Sequence, residues 1–416
     1  MNAPISKKTF TRFSELKLNS LLEITKAINN NFSTEQLIEI FKDVLENQLG
    51  ISKLILFIHE NDCWKCTLKY GVGDEYKQIN VERDLLPIKE INAINFSAST
   101  PINFSEKSRN NIFEIVIPVF HKTQPLAYLL IGDSEDNMEI ISPSIKHLNF
   151  VQTLTSIIVV AIENKKLAKE NVRQAAIKKE LELASHMQTM LFPTLLPSDN
   201  KIDSAAYYLP HQQVGGDYYD FIWLNKNECA FCVADVSGKG VAAALLMSNF
   251  QANLRILLNH SKSLTELIIE LNSKVMANAK GEKFITFFIA KYNLITRELT
   301  YINAAHNPPL IIMDNTVNML QTGCTGLGMF DEIPEIKEET IILSPATTIL
   351  CYTDGLTELE NDNGIDFGEE QLKHILKSNH HLDMNTLNKF IFEQANNHKQ
   401  NQPYVDDIAL FSIKLL

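Results

Sequence analysis

Residues 214–248 read VGGDYYDFIWLNKNECAFCVADVSGKGVAAALLMS, a stretch that alternates strand, acidic turn and helix. The apolar run Glu228–Ala234 predicts a strand, and the Ala- and Leu-rich run Val241–Leu258 predicts a helix. Asp235 falls directly after the strand. Asp217 follows Gly215 and Gly216, which permit a tight turn, and Gly238 and Gly240 release the chain into the helix. A carboxylate directly after an apolar strand is placed at the rim of a sheet, where several strands can converge.

Working outward, two more stretches have this form. Asp354 follows the predicted strand Thr348–Tyr352 in YTDG, and Asp406 precedes the predicted strand Ile408–Ile413 in VDDIALF. A single Asp-Gly pair is usually an ordinary turn. Asp217, Asp235, Asp354 and Asp406, all at strand ends of one domain, are a different matter. Carboxylates within about 4 Å of one another repel by several kcal/mol per pair at an effective dielectric near 20. Hard divalent cations that prefer oxygen ligands offset this, which points to Mg²⁺ or Mn²⁺. The chain has no His-rich cluster of the kind zinc prefers. GKG at 238–240 lacks the spacing and the Ser/Thr of a phosphate loop.

The rest of this domain, 195–416, alternates strands and helices. Ser263 opens a helix with Glu266 three residues on, the pattern of a capping box. Phe284–Tyr292, Leu299–Asn303 and Leu310–Met313 read as consecutive antiparallel strands, and Glu369–Lys377 as a helix. Strands and helices mixed in this way give an α+β fold class.

Two further segments precede it. In residues 11–165, Leu16–Asn29 has helical apolar spacing. Ser33 caps a second helix with Gln36 at the third position, and Leu37, Ile38, Phe41, Val44 and Leu45 form its apolar face. Strands are expected at Lys53–His59, Trp64–Tyr70, Ile112–Phe120 and Ala127–Gly132, and a helix at His147–Lys165. Residues 166–194 are a charged connector without Gly or Pro until Pro193. In it Ile177, Leu181, Ala184, Gln188 and Leu191 step by four and three, a coiled-coil-like seam interrupted by Gln188. That seam suits a helix pairing with its copy in a homodimer, against the plainer reading of a long surface helix.

The 416 residues suffice for two or three domains. With 45% hydrophobic and 21% charged residues, each can bury a core. The net charge of −12 and the lack of a basic block disfavour nucleic acid and an anionic membrane surface as partners. Residues 1–12 lack an apolar signal core, and runs such as Ile157–Ile162 fall far short of the roughly 20 residues that span a bilayer. The cytoplasm follows as the expected location. Six scattered cysteines make no disulfide framework. The CxxC pairs Cys63/Cys66 and Cys229/Cys232 read as core or chance cysteines, the second because residues three apart on a strand face opposite ways.

VGGDYYDF, ADVSGKGVAAALLMS, FITFFIA, NAAHNPPL, LCYTDGLTEL and VDDIALF, in this order, closely resemble the PPM (type 2C) phosphatases, and more narrowly their bacterial SpoIIE/RsbU branch. The resemblance covers about 180–416, and ELELASHMQTMLFP at 180–193 is similar to the helix that precedes the catalytic domain in that branch. It implies an α-β-β-α sandwich with two divalent metal ions, Mn²⁺ or Mg²⁺, at one edge. By motif, Asp217 would serve the first metal, Asp235 both, the Val236 carbonyl the first, and Asp354 and Asp406 the second, with Asp407 a neighbour. A metal-activated water would hydrolyse phosphoserine or phosphothreonine on a partner protein, in this branch often an anti-sigma-factor antagonist. Ser237 stands where relatives outside the branch carry a proposed acid His. Ala305 stands where Gly is frequent, and SPATT at 344–348 replaces a Pro-Gly-Asp turn. His306 reads as structural, and Lys239 and Glu358 as surface or supporting groups. The layout of 11–165, with IVIPVFHKTQPLAYLLIGD as paired late strands, resembles a GAF sensor domain, whose pocket could take a small molecule, a protein, or its own side chains. The alternative to an enzyme is a catalytically silent scaffold or sensor acting through its dimer.

Overall fold

A computed structural model of the chain describes residues 7–60, 62–93, 113–133 and 142–416. The polar start at 1–6 and Ile112, the expected first residue of a strand, lie outside the described residues. The fold divides into two units, Met1–Gln174 and Ala175–Leu416.

The first unit is built on an antiparallel sheet of β1 (Lys53–Glu60), β2 (Cys63–Tyr70), β3 (Asn92–Ala93), β4 (Ile115–His121) and β5 (Gln124–Gly132), in the order β2-β1-β5-β4-β3. Leu54 and Leu56 point to one face and Ile55 and Phe57 to the other, as the two-residue period of a strand requires. The first face packs on the helices Lys7–Asn29 and Thr34–Asp43 and the first turns of the helix Leu148–Thr189. The capping box is present in full: Gln36 N donates to Ser33 Oγ, and Ser33 N donates to Gln36 Oε1. The second face packs Phe57, Tyr76, Phe113 and Tyr128 among its own side chains.

The helix Leu148–Thr189 is 42 residues long and runs unbroken from the expected helix 147–165 into the connector. No Gly or Pro interrupts it, and nothing in its backbone distinguishes connector from unit. At its far end Gln188 and Phe192 are buried in the second unit, Phe192 against Tyr208, Tyr218 and Tyr219. The expected seam therefore cannot serve a partner along its whole length. Its last turn is docked on this chain's own fold, and the apolar side chains left exposed there are Leu183, Met187 and Met190.

The second unit holds two sheets. Strands β6 (Ile202–Leu209), β7 (Tyr218–Trp223), β8 (Glu228–Val236), β9 (Ile285–Asn293), β10 (Glu298–Ala304), β11 (Leu310–Met313), β12 (Thr316–Met319), β13 (Gly323–Cys324), β14 (Glu339–Ile342), β15 (Thr347–Tyr352) and β16 (Ile408–Leu415) follow in chain order. One sheet runs β13-β10-β9-β8-β7, with β14 on β10; the other runs β12-β11-β15-β16-β6. Phe231 and Phe288 of the first sheet meet Ile349 and Phe411 of the second in a shared core. The helices Val241–Leu258 and Leu264–Ala279 cover the first sheet, and Glu369–Asn379 and Met384–Lys399 cover the second. Val241–Leu258 is the one helix among the described residues long and apolar enough to cross a membrane, and its Ala243, Met247, Phe250 and Leu254 are packed in the core.

Two expectations change here, and one holds. Strands β9 and β10 pair antiparallel as expected, but β11 crosses to the other sheet and pairs with β15. The turn between them holds Pro308 and Pro309, which have no N–H to continue a ladder. At Ser263 the box is incomplete: Glu266 N donates to Ser263 Oγ, while the Glu266 carboxylate accepts from Lys262 N instead. Cys229 and Cys232 do face opposite ways, one into the core between the sheets and one under the helices.

Candidate active site

Register brings the four aspartates to one edge. Strands β7 and β8 are antiparallel, with Tyr218 opposite Ala234, so Asp217 at the entrance of β7 lies beside Asp235 at the exit of β8. Strands β15 and β16 are also antiparallel, with Tyr352 opposite Leu410, so Asp354 and Asp406 share the corresponding edge of the second sheet. Two of the four stand at strand entrances rather than exits, and antiparallel pairing makes the two equivalent.

Asp217 is fully enclosed, at 1% exposure, and its Oδ2 accepts a 2.7 Å hydrogen bond from Thr353 Oγ1. Burial, then the charges of Asp235 and Asp407, hold its carboxyl well above the ordinary range. Burial and the nearby Asp354 push Asp235 up to about 7. Asp354 is raised by burial and by Asp406. Lys239, whose Nζ lies 2.8 Å from Asp406 Oδ2, lowers Asp354 in turn. The edge is thus, among the described residues, a nest of carboxylates in which Lys239 and His211 supply positive charge at Asp406 and Asp407. Among the described residues, no three carboxylate, imidazole or thiol groups are drawn into a ready metal shell.

The neighbouring glycines are required for a reason different from the turn freedom expected. A Cβ on Gly216 would stand 2.9 Å from the Val236 carbonyl oxygen, and one on Gly355 would stand 2.0 Å from that of Asp407. These positions need the absence of a side chain. Gly238 and Gly240 do need the left-handed backbone, at φ 86° and 73°.

Several contributors escape a reading by motif. Thr353 joins Asp217 to β16, since its Oγ1 also accepts from Ala409 N. Its one advance signal is its place immediately before Asp354. Asp407 accepts from Gly216 N at 2.6 Å and His211 N at 2.7 Å, so both its oxygens fix backbone while Asp406 faces outward. Gln188 grips Gly215 from both sides, donating from Nε2 to its carbonyl at 2.7 Å and accepting from its N–H at 3.2 Å. Asp220 is buried under a two-pronged ion pair with Arg255 and a bond from Tyr218.

Ser237 Oγ accepts from Phe284 N, and its carbonyl accepts from Lys283 Nζ, so this side chain is committed to backbone. His306 is buried, its Nδ1 lies 2.8 Å from Thr286 Oγ1, and burial lowers it to about 4. It is neutral near pH 7, and its buried Nε2 has no hydrogen-bond partner among the described residues. Ala305 and Ala346 take left-handed backbone, with φ 54° and 62°, so both turns keep the shape that glycine would give.

Residues 225–416 match the family model described as Stage II sporulation protein E (SpoIIE). The C-terminal unit carries a SpoIIE-family domain. Over 193 residues the chain is 33% identical to phosphoserine phosphatase RsbU of Bacillus subtilis (strain 168), covering 46% of this chain and 57% of RsbU. Phosphoserine phosphatase RsbP of the same organism is 26% identical over 187 residues, 44% of this chain and 46% of RsbP. The chain spans about half the length of the curated relatives it matches. The SiaA-PP2C domain of Pseudomonas aeruginosa superposes with a TM-score of 0.52 at 19% identity, covering 59% of this chain and 99% of that domain. The SpoIIE-family domain therefore has the PP2C fold.

Proposed function

We propose that the SpoIIE-family domain is a metal-dependent phosphatase that removes phosphate from serine or threonine of a regulatory protein, under control of the N-terminal unit. The observation that carries this is the meeting of Asp217 and Asp235 from one sheet with Asp354 and Asp406 from the other. The two sheets with helices outside each suit the α-β-β-α layering of the family.

In this reading Asp217, Asp235 and the Val236 carbonyl would hold a first Mn²⁺ or Mg²⁺, and Asp354 and Asp406, with Asp235, a second. Two such ions would lower the pKa of a shared water and neutralise phosphate oxygens. The chain's own part is to fix the donors. Thr353 orients Asp217, Asp407 sets the backbone of Gly216, and Gln188 holds Gly215. With Ser237 Oγ held by Phe284 N and His306 buried and neutral, the leaving group takes its proton from solvent.

The buried second face of the N-terminal sheet suits a GAF-like sensor that answers to a small molecule or a protein. Gln188 offers a route for control, because it ties the end of the long helix to the Gly215–Asp217 turn. A homodimer along that helix would use Leu183, Met187 and Met190, which chromatography of Met187→Glu can check. The partner is a phosphorylated regulatory protein, and the setting cytoplasmic.

The test is hydrolysis of a phosphoserine protein with Mn²⁺, Mg²⁺ or chelator, by wild type and Asp354→Ala. Metal-dependent turnover lost in the variant is the expected result. Silence under every condition, also in residues 175–416 alone, would turn the reading toward a scaffold.

A further inference from the structure

We propose that Lys239 is an internal competitor for cations on Asp406, occupying that carboxylate until a divalent ion displaces it. This rests on the reading of Asp406 as a metal ligand. Lys239 stands between Gly238 and Gly240, whose left-handed backbones shape the turn from β8 into the helix Val241–Leu258. Its Nζ lies 2.8 Å from Asp406 Oδ2 and donates to the Val405 carbonyl at 2.6 Å. Asp406 Oδ1 accepts from Asp407 N at 2.8 Å, so both oxygens of Asp406 are engaged.

The two partners differ in kind. A backbone N–H is fixed by the chain, whereas an ammonium on a four-carbon stem can swing into water. Lys239 is free to do so, with 42% of its side chain exposed. An ammonium and a divalent cation cannot share one carboxylate oxygen without strong repulsion. A cation that uses Asp406 Oδ2 must therefore evict Lys239, and the lost ion pair is subtracted from its affinity. Asp407 is under no such control, because both its oxygens are held by backbone. The competition falls on the second sheet's half of the site alone.

The experiment is Mn²⁺ binding to the full chain, followed through the electron paramagnetic resonance signal of free Mn²⁺. An exposed ion pair is worth up to about 1 kcal/mol, so Lys239→Gln should tighten the Mn²⁺ that uses Asp406 about fivefold. Lys239→Arg should bind as wild type does, and adding Asp406→Asn to Lys239→Gln should remove the gain. Equal or weaker binding by Lys239→Gln, with wild type binding normally, overturns the proposal. If neither protein binds Mn²⁺, the metal reading itself fails and takes this inference with it.

Discussion

The two halves of the acidic edge are built differently. On the first sheet Asp217 is sealed in, with Thr353 on its carboxylate and Gln188, Gly215 and Gly216 packed behind its backbone. On the second sheet Asp406 keeps 35% of its side chain exposed and is held by a movable lysine. One half is set by packing and the other by a replaceable charge. Occupancy of the site should therefore be adjusted at the second half, while the first half bears the cost of confining carboxylates.

The largest expected effect tests whether both halves are needed. Under the metal reading proposed above, Asp217→Asn and Asp354→Ala should each lose more than about a hundredfold in turnover, and Thr353→Val, an outer partner of a proposed ligand, about tenfold. Comparable turnover by all three would erase the distinction between ligand and support.

Stability separates the halves next. Arg255→Met leaves Asp220 buried and unpaired behind the first half and should cost about 3 kcal/mol in urea unfolding. Asp217→Asn should instead stabilise the chelated protein, by about 1 kcal/mol, because it removes a confined charge while keeping an acceptor for Thr353. Asp406→Asn should change stability by less than about 1 kcal/mol, as for other exposed pairs. A destabilised Asp217→Asn, or a large effect at Asp406, would reverse the comparison.

The pH dependence follows from the same confinement. Asp235 is raised from 3.8 to about 7 in the folded state, so the native protein holds a proton that the unfolded chain has released. The contribution of Asp235 to stability in chelator should then be present below about pH 4 and fall away as pH rises through about 7. Saturating Mn²⁺ should flatten that fall, which thermal unfolding across pH 5–8 can follow. A chelated protein that gains stability over this range would contradict the buried charge at the first half.

The smallest effect lies away from the site. Ala305 and Ala346 hold left-handed backbone that glycine adopts without strain. Replacing either with Gly should stabilise by up to about 1 kcal/mol, less what glycine adds to the entropy of the unfolded chain.

Much of the second unit was legible because its signals are local. The helix Val241–Leu258 starts and stops as the sequence predicts, and strands at 228, 285, 347 and 408 fall within a residue of expectation or run slightly longer. Strands β6 and β7 were not, because Asp203 and Ser204, and later Asp220, break their apolar patterns. Asp220 belongs there only because Arg255 reaches it from a helix 35 residues away. Gln188 misled in the same way: by spacing it interrupts a coiled-coil seam, yet it is folded into its own unit. Its partner Gly215 lies 27 residues on, and spacing carries no trace of that contact.

By itself the sequence determined that Asp217, Asp235, Asp354 and Asp406 stand where strands enter and leave. Tertiary structure decided the rest. Antiparallel register made an entrance and an exit neighbours, the two sheets brought both pairs to one edge, and burial chose Asp217 to be sealed. It also turned Asp407 inward onto backbone and left Asp406 outward on Lys239. Adjacent aspartates are chemically identical, and only the groups that the fold places around each oxygen tell them apart.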